Sequence, residues 1–351
     1  MLSLEISIDD RRIGPGHPVY IIAELSANHH QNYDEAVKLL NAAKDCGVDA
    51  VKIQTYTPDS ITINVDSPIF RHQKESLWSN ELLYDLYQKA YMPWEWQPKL
   101  KSLADEIGIT LFSSPFDPGA IDFLETLNVP AYKIASFELV DIPLIRKAAA
   151  TGKPLIISTG MGVLAEIEEA ALAVEQAGGR ELAFLKCTSA YPSPAREMNL
   201  RTVPDLQRRF GLPVGLSDHT LGFNVAVASV ALGANIIEKH LTLSRSEQGP
   251  DSAFSLEPGE FKSLVEAVRE VEQALGEIHY EPTEKEAESR RFRRSLFVVE
   301  DIQTGQLITE QNVRSIRPSL GLHPRCYQQV LGMRAKRFLA KGTPLAWDDI
   351  G

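Results

Sequence analysis

The sequence predicts a (β/α)₈ barrel of TIM type followed by a small, mostly β domain, and three observations carry the prediction. Eight short apolar runs each end in reactive polar residues. Stretches of helical periodicity separate them, as in YDEAVKLLNAAKDCG after the first run and AEIEEAALAVEQAGG after the fifth. Finally, a charged segment divides these units from a tail that contains an internal repeat.

Residues 3–8 alternate apolar and polar and Asp9-Asp10 offers a turn, so a short hairpin is expected ahead of the barrel, closing its floor. The eight runs follow: VYIIAEL (19–25), AVKIQ (50–54), ITLFSS (109–114), AYKIAS (131–136), PLIIST (154–159), LAFLKCT (182–188), PVGLSDH (213–219) and NIIEKH (235–240). Residues 56–80 form a long polar insertion after the second run, on the side of a barrel where loops shape the substrate pocket. The eighth helix is expected over 257–276, with an apolar stripe at 261, 264, 265, 268, 271 and 275. The barrel domain thus spans 1–276. Residues 277–294, charged and weakly periodic, read as a linker, and 295–351 as the second domain. In the tail, TGQLITEQNV (304–313) and KGTPLAWDDI (341–350) share one pattern and predict two related β-turn units.

Composition excludes several classes of function. With a net charge of −11 and a single basic cluster, RRFRR (290–294), the chain has no nucleic-acid footprint. No apolar run approaches membrane-spanning length, and the acidic N-terminal stretch lacks the pattern of a signal peptide. The three cysteines, Cys46, Cys187 and Cys326, have neither disulfide nor zinc spacing; Cys46 and Cys187 read as small core residues. A cytoplasmic protein is expected.

The ends of the runs gather Glu24, Lys52, Gln54, Ser114, Lys133, Ser136, Ser158, Lys186, Ser217, His219 and His240. Ser217 and His219 share one strand parity, and Glu238 and His240 share another. Two imidazoles from adjacent strands can meet a divalent ion while water completes its shell, which suits Mn²⁺ or Mg²⁺ better than structural zinc. Lys52, Lys133 and Lys186 lie within apolar strands and need anionic partners. A phosphate or carboxylate substrate would serve, as would Glu24, Glu138 or Glu238 across the barrel. Glu24 and Glu138 are also candidate acid–base groups, and Asp251 could accept sugar hydroxyls.

The stretches AELSANH (23–29), AVKIQTY (50–56), SSPFD (113–117), YKIASFE (132–138), STGM (158–161), CTSAYP (187–192), GLSDHT (215–220), EKHLT (238–242) and GPDSAFS (249–255) resemble the sialic acid synthase family. The resemblance runs from about residue 18 to the end, where the tail is similar to that family's antifreeze-like (SAF, β-clip) domain. It implies condensation of phosphoenolpyruvate with an open-chain acetamido sugar and release of phosphate. The implied metal is Mn²⁺, with Mg²⁺ or Co²⁺ as substitutes, held by His219 and His240. Lys52, Ser114, Lys133, Ser136, Ser158 and Ser217 would hold phosphoenolpyruvate. Gln54, Tyr191 and Asp251 would face the sugar, and Glu24 and Glu138 the water in the metal's shell. Many members have asparagine where this chain has Ser189, so the phosphate contact there departs from the family pattern.

The resemblance further implies a domain-swapped homodimer in which Arg317, in SIRPSLG, reaches the acyl group of the sugar in the other subunit. AELSANH, CTSAYP and FRRSLF resemble the members that form pseudaminic acid, which implies 2,4-diacetamido-2,4,6-trideoxy-L-altrose as acceptor. The alternative is an N-acetylmannosamine-type acceptor, giving N-acetylneuraminate or legionaminate. Apart from the resemblance, a Schiff-base aldolase using Lys133 would not need the two histidines. A sugar- or ice-binding protein would leave the polar barrel mouth unexplained.

Overall fold

Asp9 and Asp10 both take left-handed backbone (φ 46° and 62°), so β1 (Ile6–Ile8) doubles back onto β2 (Arg11–Ile13) with Ile6 opposite Ile13. Ile6, Ile8 and Ile13 are fully buried in the barrel core. Each such side chain contributes about 1.5–3 kcal/mol by leaving water. The computed structural model describes residues 2–72, 81–247 and 249–351, which divide into two units at Gly276.

In the first unit every apolar run becomes a strand: β3 (Tyr20–Glu24), β4 (Ala50–Thr55), β5 (Thr110–Pro115), β6 (Tyr132–Ile134), β7 (Leu155–Ser158), β8 (Leu182–Cys187), β9 (Val214–Asp218) and β10 (Ile236–His240). They are parallel and close in sequence order, with β10 returning to β3 in a register that sets His240 beside Glu24. Strands buried on both faces read as continuous apolar runs, and the intervening helices cover the outer face. The eighth helix, Pro258–Leu275, buries Phe261, Leu264, Val265 and Val268, while Leu275 at its end is exposed.

The insertion after β4 folds into helices at Pro58–Ile61 and Leu83–Ala90 with a short turn at Pro68–Phe70. Its portion at 73–80 lies outside the described residues. Among the described residues no helix is long and apolar enough to cross a membrane.

In the second unit, β11 (Ser295–Val298) pairs antiparallel with β12 (Val313–Ile316) over a core that includes Leu296, Val298, Ile308, Val313, Leu345 and Ile350. The two repeated segments are structural equivalents. Gly305 and Gly342 both take positive φ, 82° and 91°, at the turn. Asn312 then accepts the Thr309 N–H at 2.8 Å, as Asp349 accepts that of Ala346 at 3.0 Å. The charged stretch expected as a linker carries a helix at Glu284–Ser289, started by a capping box between Thr283 and Glu286.

Candidate active site

Where the strands end, inward-facing side chains enclose a cavity of about 400 Å³. From β3, β4 and β6 come Glu24, Lys52, Gln54 and Lys133; the turn after β6 adds Ser136 and Glu138. From β7 to β10 and their loops come Ser158, Tyr191, Ser217, His219, His240 and Asp251. Twelve of the fifteen residues singled out by the family resemblance therefore share one cavity.

The three strand lysines have different fates. Lys52 Nζ stands 2.5 Å from Glu24 Oε2 and 3.4 Å from Glu238 Oε1, and donates to Ser114 Oγ at 3.1 Å. Burial works against its charge, but Glu238 and Glu24 prevail and hold the ammonium protonated. Lys133 donates to Ser158 Oγ at 2.6 Å and to the Ile134 carbonyl at 2.9 Å. It is fully buried without an ion-pair partner among the described residues, and burial lowers its pKa. Lys186 corrects the sequence reading. It does not line the cavity, and its ammonium binds the Cys187 carbonyl at 2.7 Å and Thr188 Oγ1 at 3.1 Å. Cys187 is the neighbour that faces in.

The two imidazoles meet with ring centroids 5.4 Å apart. His219 donates through Nδ1 to the Thr188 carbonyl at 3.1 Å, which leaves Nε2 as its donor atom. The His240 Nδ1 is buried without a hydrogen-bond partner among the described residues, and Asp251 Oδ2 stands 3.9 Å away. Burial, together with His219, Lys52 and Lys239, holds His240 neutral, as a ligand must be. No group of three or more candidate metal-binding side chains occurs among the described residues. The pair is instead an open donor set that fits a hard divalent ion with substrate and water in its shell.

Burial raises Glu24, whereas at Glu238 the attraction of Lys133 and Lys52 outweighs burial and lowers it. Two facing carboxylates are thus pushed apart, one towards holding a proton and one towards charge. Glu138, largely buried near Lys133, is pushed up to about 7 by burial. Gln54 Nε2 donates to Glu24 Oε1 at 3.1 Å and to Ser26 Oγ at 3.0 Å, and Ser26 Oγ in turn donates to Asp251. Burial raises Asp251 as well.

Three proposed residues lie elsewhere. Ser114 is buried behind Lys52 and does not line the cavity. Ser189 sits behind the Ser158–Gly162 turn, where a Cβ on Gly160 would come within 2.2 Å of its Oγ and 2.7 Å of Ser136 Oγ. Only glycine lets that turn approach the hydroxyls, and its N–H donates to Ser136 Oγ at 3.1 Å. Arg317 is exposed just past β12 in the second unit.

Sequence reasoning missed other members of the site. Cys187, read as core filling, lines the cavity 3.8 Å from His219 Nδ1. Burial alone would raise its thiol, but His219 and hydrogen bonding bring it to about 7; His219 is raised reciprocally despite its own burial. Glu238, set beside His240 by the parity of EKH but read only as a candidate partner for the lysines, also lines the cavity. The 56–80 insertion supplies only part of the apolar wall. Ile61 lines the cavity, but Ile63 and Ile69 are exposed, and Phe254 packs behind the histidines, 5.0 Å from His240. Tyr56, Leu86, Tyr87 and Phe116 supply the wall, with Tyr56 packed edge-on against Phe116 at 5.2 Å and Tyr87 at 5.9 Å.

Comparison with known proteins identifies the family of the chain. The sequence pattern of the NeuB family matches residues 39–280, and that of the SAF domain matches 293–351. Over 95% of its length the chain is 47% identical to pseudaminic acid synthase of Helicobacter pylori, covering 98% of that protein. It is 36% identical to N,N'-diacetyllegionaminic acid synthase of Legionella pneumophila, with 96% of each chain covered. Among solved structures, N-acetylneuraminic acid synthetase from Leptospira borgpetersenii in complex with citrate superposes with a TM-score of 0.72. The two are 31% identical over 82% of this chain and 95% of that one.

Proposed function

The chain belongs to the NeuB family, and from that premise we propose that it condenses phosphoenolpyruvate with open-chain 2,4-diacetamido-2,4,6-trideoxy-L-altrose to give pseudaminic acid and phosphate. The observation that carries the reading is the union, in one cavity, of the unpaired buried cation Lys133, the hydroxyls Ser158 and Ser136, and two facing imidazoles. An isolated buried ammonium is costly. A phosphate or carboxylate arriving beside it recovers that cost, so Lys133 selects an anionic substrate. The preference for the altrose sugar rests on the 47% identity to the pseudaminic acid synthase against 36% to the legionaminic enzyme.

His219 through Nε2 and His240 through Nδ1 would hold a divalent ion, Mn²⁺ first. When bound, that ion supplies Lewis acidity towards the sugar aldehyde. The residues of the chain do the rest. Lys133, Ser158, Ser136 and Ser217 fix the phosphoenolpyruvate, while Gln54, Asp251 and Tyr191 orient the sugar so that the enol carbon faces the aldehyde carbon. A carbon–carbon bond forms, water adds to the resulting cationic carbon, and the carbon–phosphate oxygen bond breaks. Glu138, half-protonated near neutrality, takes the proton of that water. Glu24, whose carboxyl burial raises, returns a proton to the new alkoxide.

We place Arg317 of a second subunit at the sugar's acyl group, which makes the working enzyme a homodimer, and we place the reaction in the cytoplasm, where phosphoenolpyruvate is made. The test is phosphate release by purified protein supplied with phosphoenolpyruvate and a panel of acetamido sugars, with the product identified by NMR. Release only with the altrose sugar supports the proposal; no release with any of them rejects it.

A further inference from the structure

We propose that Lys239 is a positioning residue that fixes the two histidines relative to each other from the outer face of the barrel. The ladder between β9 and β10 ends at the pair Lys239–Asp218, so His219 and His240 lie one residue beyond its last rung. Side-chain bonds take over at that point. Lys239 Nζ donates to Asp218 Oδ2 at 2.8 Å, to the Thr220 carbonyl at 2.7 Å and to the Asp218 carbonyl at 3.4 Å. Asp218 and Thr220 are the two chain neighbours of His219, and Lys239 is the neighbour of His240. Asp218 Oδ1 closes the loop by accepting from Thr220 N at 2.9 Å and Thr220 Oγ1 at 2.8 Å.

The ion pair is completely buried, with both side chains at 0% exposure. Such a pair is a poor source of stability, because desolvation consumes most of its attraction and apolar residues would serve as well. Its geometric effect is larger. One ammonium holds the backbone on both sides of His219 while belonging to the strand that ends in His240, so the donor atoms of the two rings keep a fixed separation. Supporting bonds behind metal ligands act in this manner, and their loss typically weakens metal affinity ten- to hundred-fold.

This inference rests on the two-histidine metal reading, and the test separates the two. Free Mn²⁺ is followed by electron paramagnetic resonance as it is titrated into the full-length wild type, His240→Ala and the double variant Asp218→Asn/Lys239→Met. The double variant leaves no buried charge, and the new amide oxygen can still accept from Thr220. We expect wild type to bind, His240→Ala to lose binding, and the double variant to keep its circular dichroism while binding about ten- to hundred-fold more weakly. Wild-type affinity in the folded double variant overturns the role of Lys239 and leaves the metal reading intact. Failure of wild type to bind, or retained affinity in His240→Ala, overturns the metal reading and the clamp with it. If the double variant unfolds, Asp218→Asn alone is titrated: a smaller loss in the same direction supports the clamp, and unchanged affinity overturns it.

Discussion

Lys52 Nζ stands 2.5 Å from Glu24 Oε2, an ion pair buried across the β3–β4 ladder, whereas Lys133, two strands away, has no carboxylate paired with it among the described residues. The two lysines therefore answer differently to the same substitution. Lys52→Met leaves Glu24 and Glu238 buried without their shared cation, and breaking a buried pair costs about 3–5 kcal/mol. Lys133→Met breaks no ion pair among the described residues and removes only part of the attraction that lowers Glu238, so its melting temperature should fall less than that of Lys52→Met. Phosphoenolpyruvate binding should fall roughly ten- to hundred-fold in Lys133→Met, the loss of one charged hydrogen bond. Calorimetry of binding and thermal melts of both variants check this. An early-melting Lys133→Met that binds normally would make that lysine structural.

The histidine pair predicts a loss of function without a loss of fold. Two ligands of an open site contribute little beside a closed barrel core, so His219→Ala and His240→Ala should melt near wild type. Turnover should collapse in both variants and in excess chelator, and return when Mn²⁺ is restored to the chelated wild type. Full activity in chelator sinks the metal assignment.

Much of the barrel and its site was legible because strand ends keep a period of two even inside apolar runs. Lys52 with Gln54, Ser217 with His219, and Glu238 with His240 could each be assigned to one face from spacing alone. LAFLKC was ambiguous because a strand buried on both faces carries no alternation. Lys186 was accordingly set in the mouth, when Cys187 faces inward and Lys186 does not. The chemistry of Cys187 was hidden for another reason: it depends on His219, a neighbour in space and not in sequence. Likewise the 56–80 segment has no periodicity to say which of its side chains face in: Ile63 and Ile69 are exposed, and much of the wall comes from Tyr56, Phe116 and the Leu83–Ala90 helix.

Glu138 supplies a pH dependence whose sign is opposite to that of an ordinary salt-bridged carboxylate. Burial raises it from 4.5 to about 7, so between those values the folded protein holds a proton that the unfolded chain has released. Stability contributed by this group is therefore lost as pH rises from about 4.5 to about 7, and the full cost persists above. That cost is no more than about 3 kcal/mol. In apo protein, Glu138→Gln should melt higher than wild type at pH 8 and equally at pH 4.5, while turnover falls and the limb near pH 7 disappears from its profile. Chemical denaturation at the two pH values is decisive; equal differences at both would assign the buried carboxyl another partner.

Arg317 is predicted to act on the barrel of a second subunit. Neither Arg317→Ala nor His240→Ala homodimers should turn over substrate at the wild-type rate. After subunit exchange, a heterodimer contains one barrel with intact histidines facing one intact Arg317, so mixing the two proteins should restore part of the activity. Exchange is followed by mass spectrometry of differently tagged subunits. Proven exchange with no recovery would confine Arg317 to its own subunit or remove it from the reaction.

The acceptor is the sharpest test of the cavity's apolar side. A 6-deoxy sugar with two acetamido groups presents methyl groups where N-acetylmannosamine presents a hydroxylated chain. Ile61, Leu86, Tyr87, Tyr56 and Phe116 offer carbon surface in the cavity. Packing alone rejects an added hydroxyl only about a hundred-fold, and a stranded polar group adds to that by its lost hydrogen bonds. The expected result is a kcat/KM for the 2,4-diacetamido-L-altrose sugar at least about a hundred-fold above that for N-acetylmannosamine. Leu86→Ser should narrow the gap by weakening the first substrate more than the second. A preference for N-acetylmannosamine, or for a diacetamido sugar of D-mannose configuration, would reassign the product to N-acetylneuraminate or legionaminate. In either outcome Lys133 and the two histidines would keep their roles, because every such acceptor brings an aldehyde to the same phosphoenolpyruvate condensation.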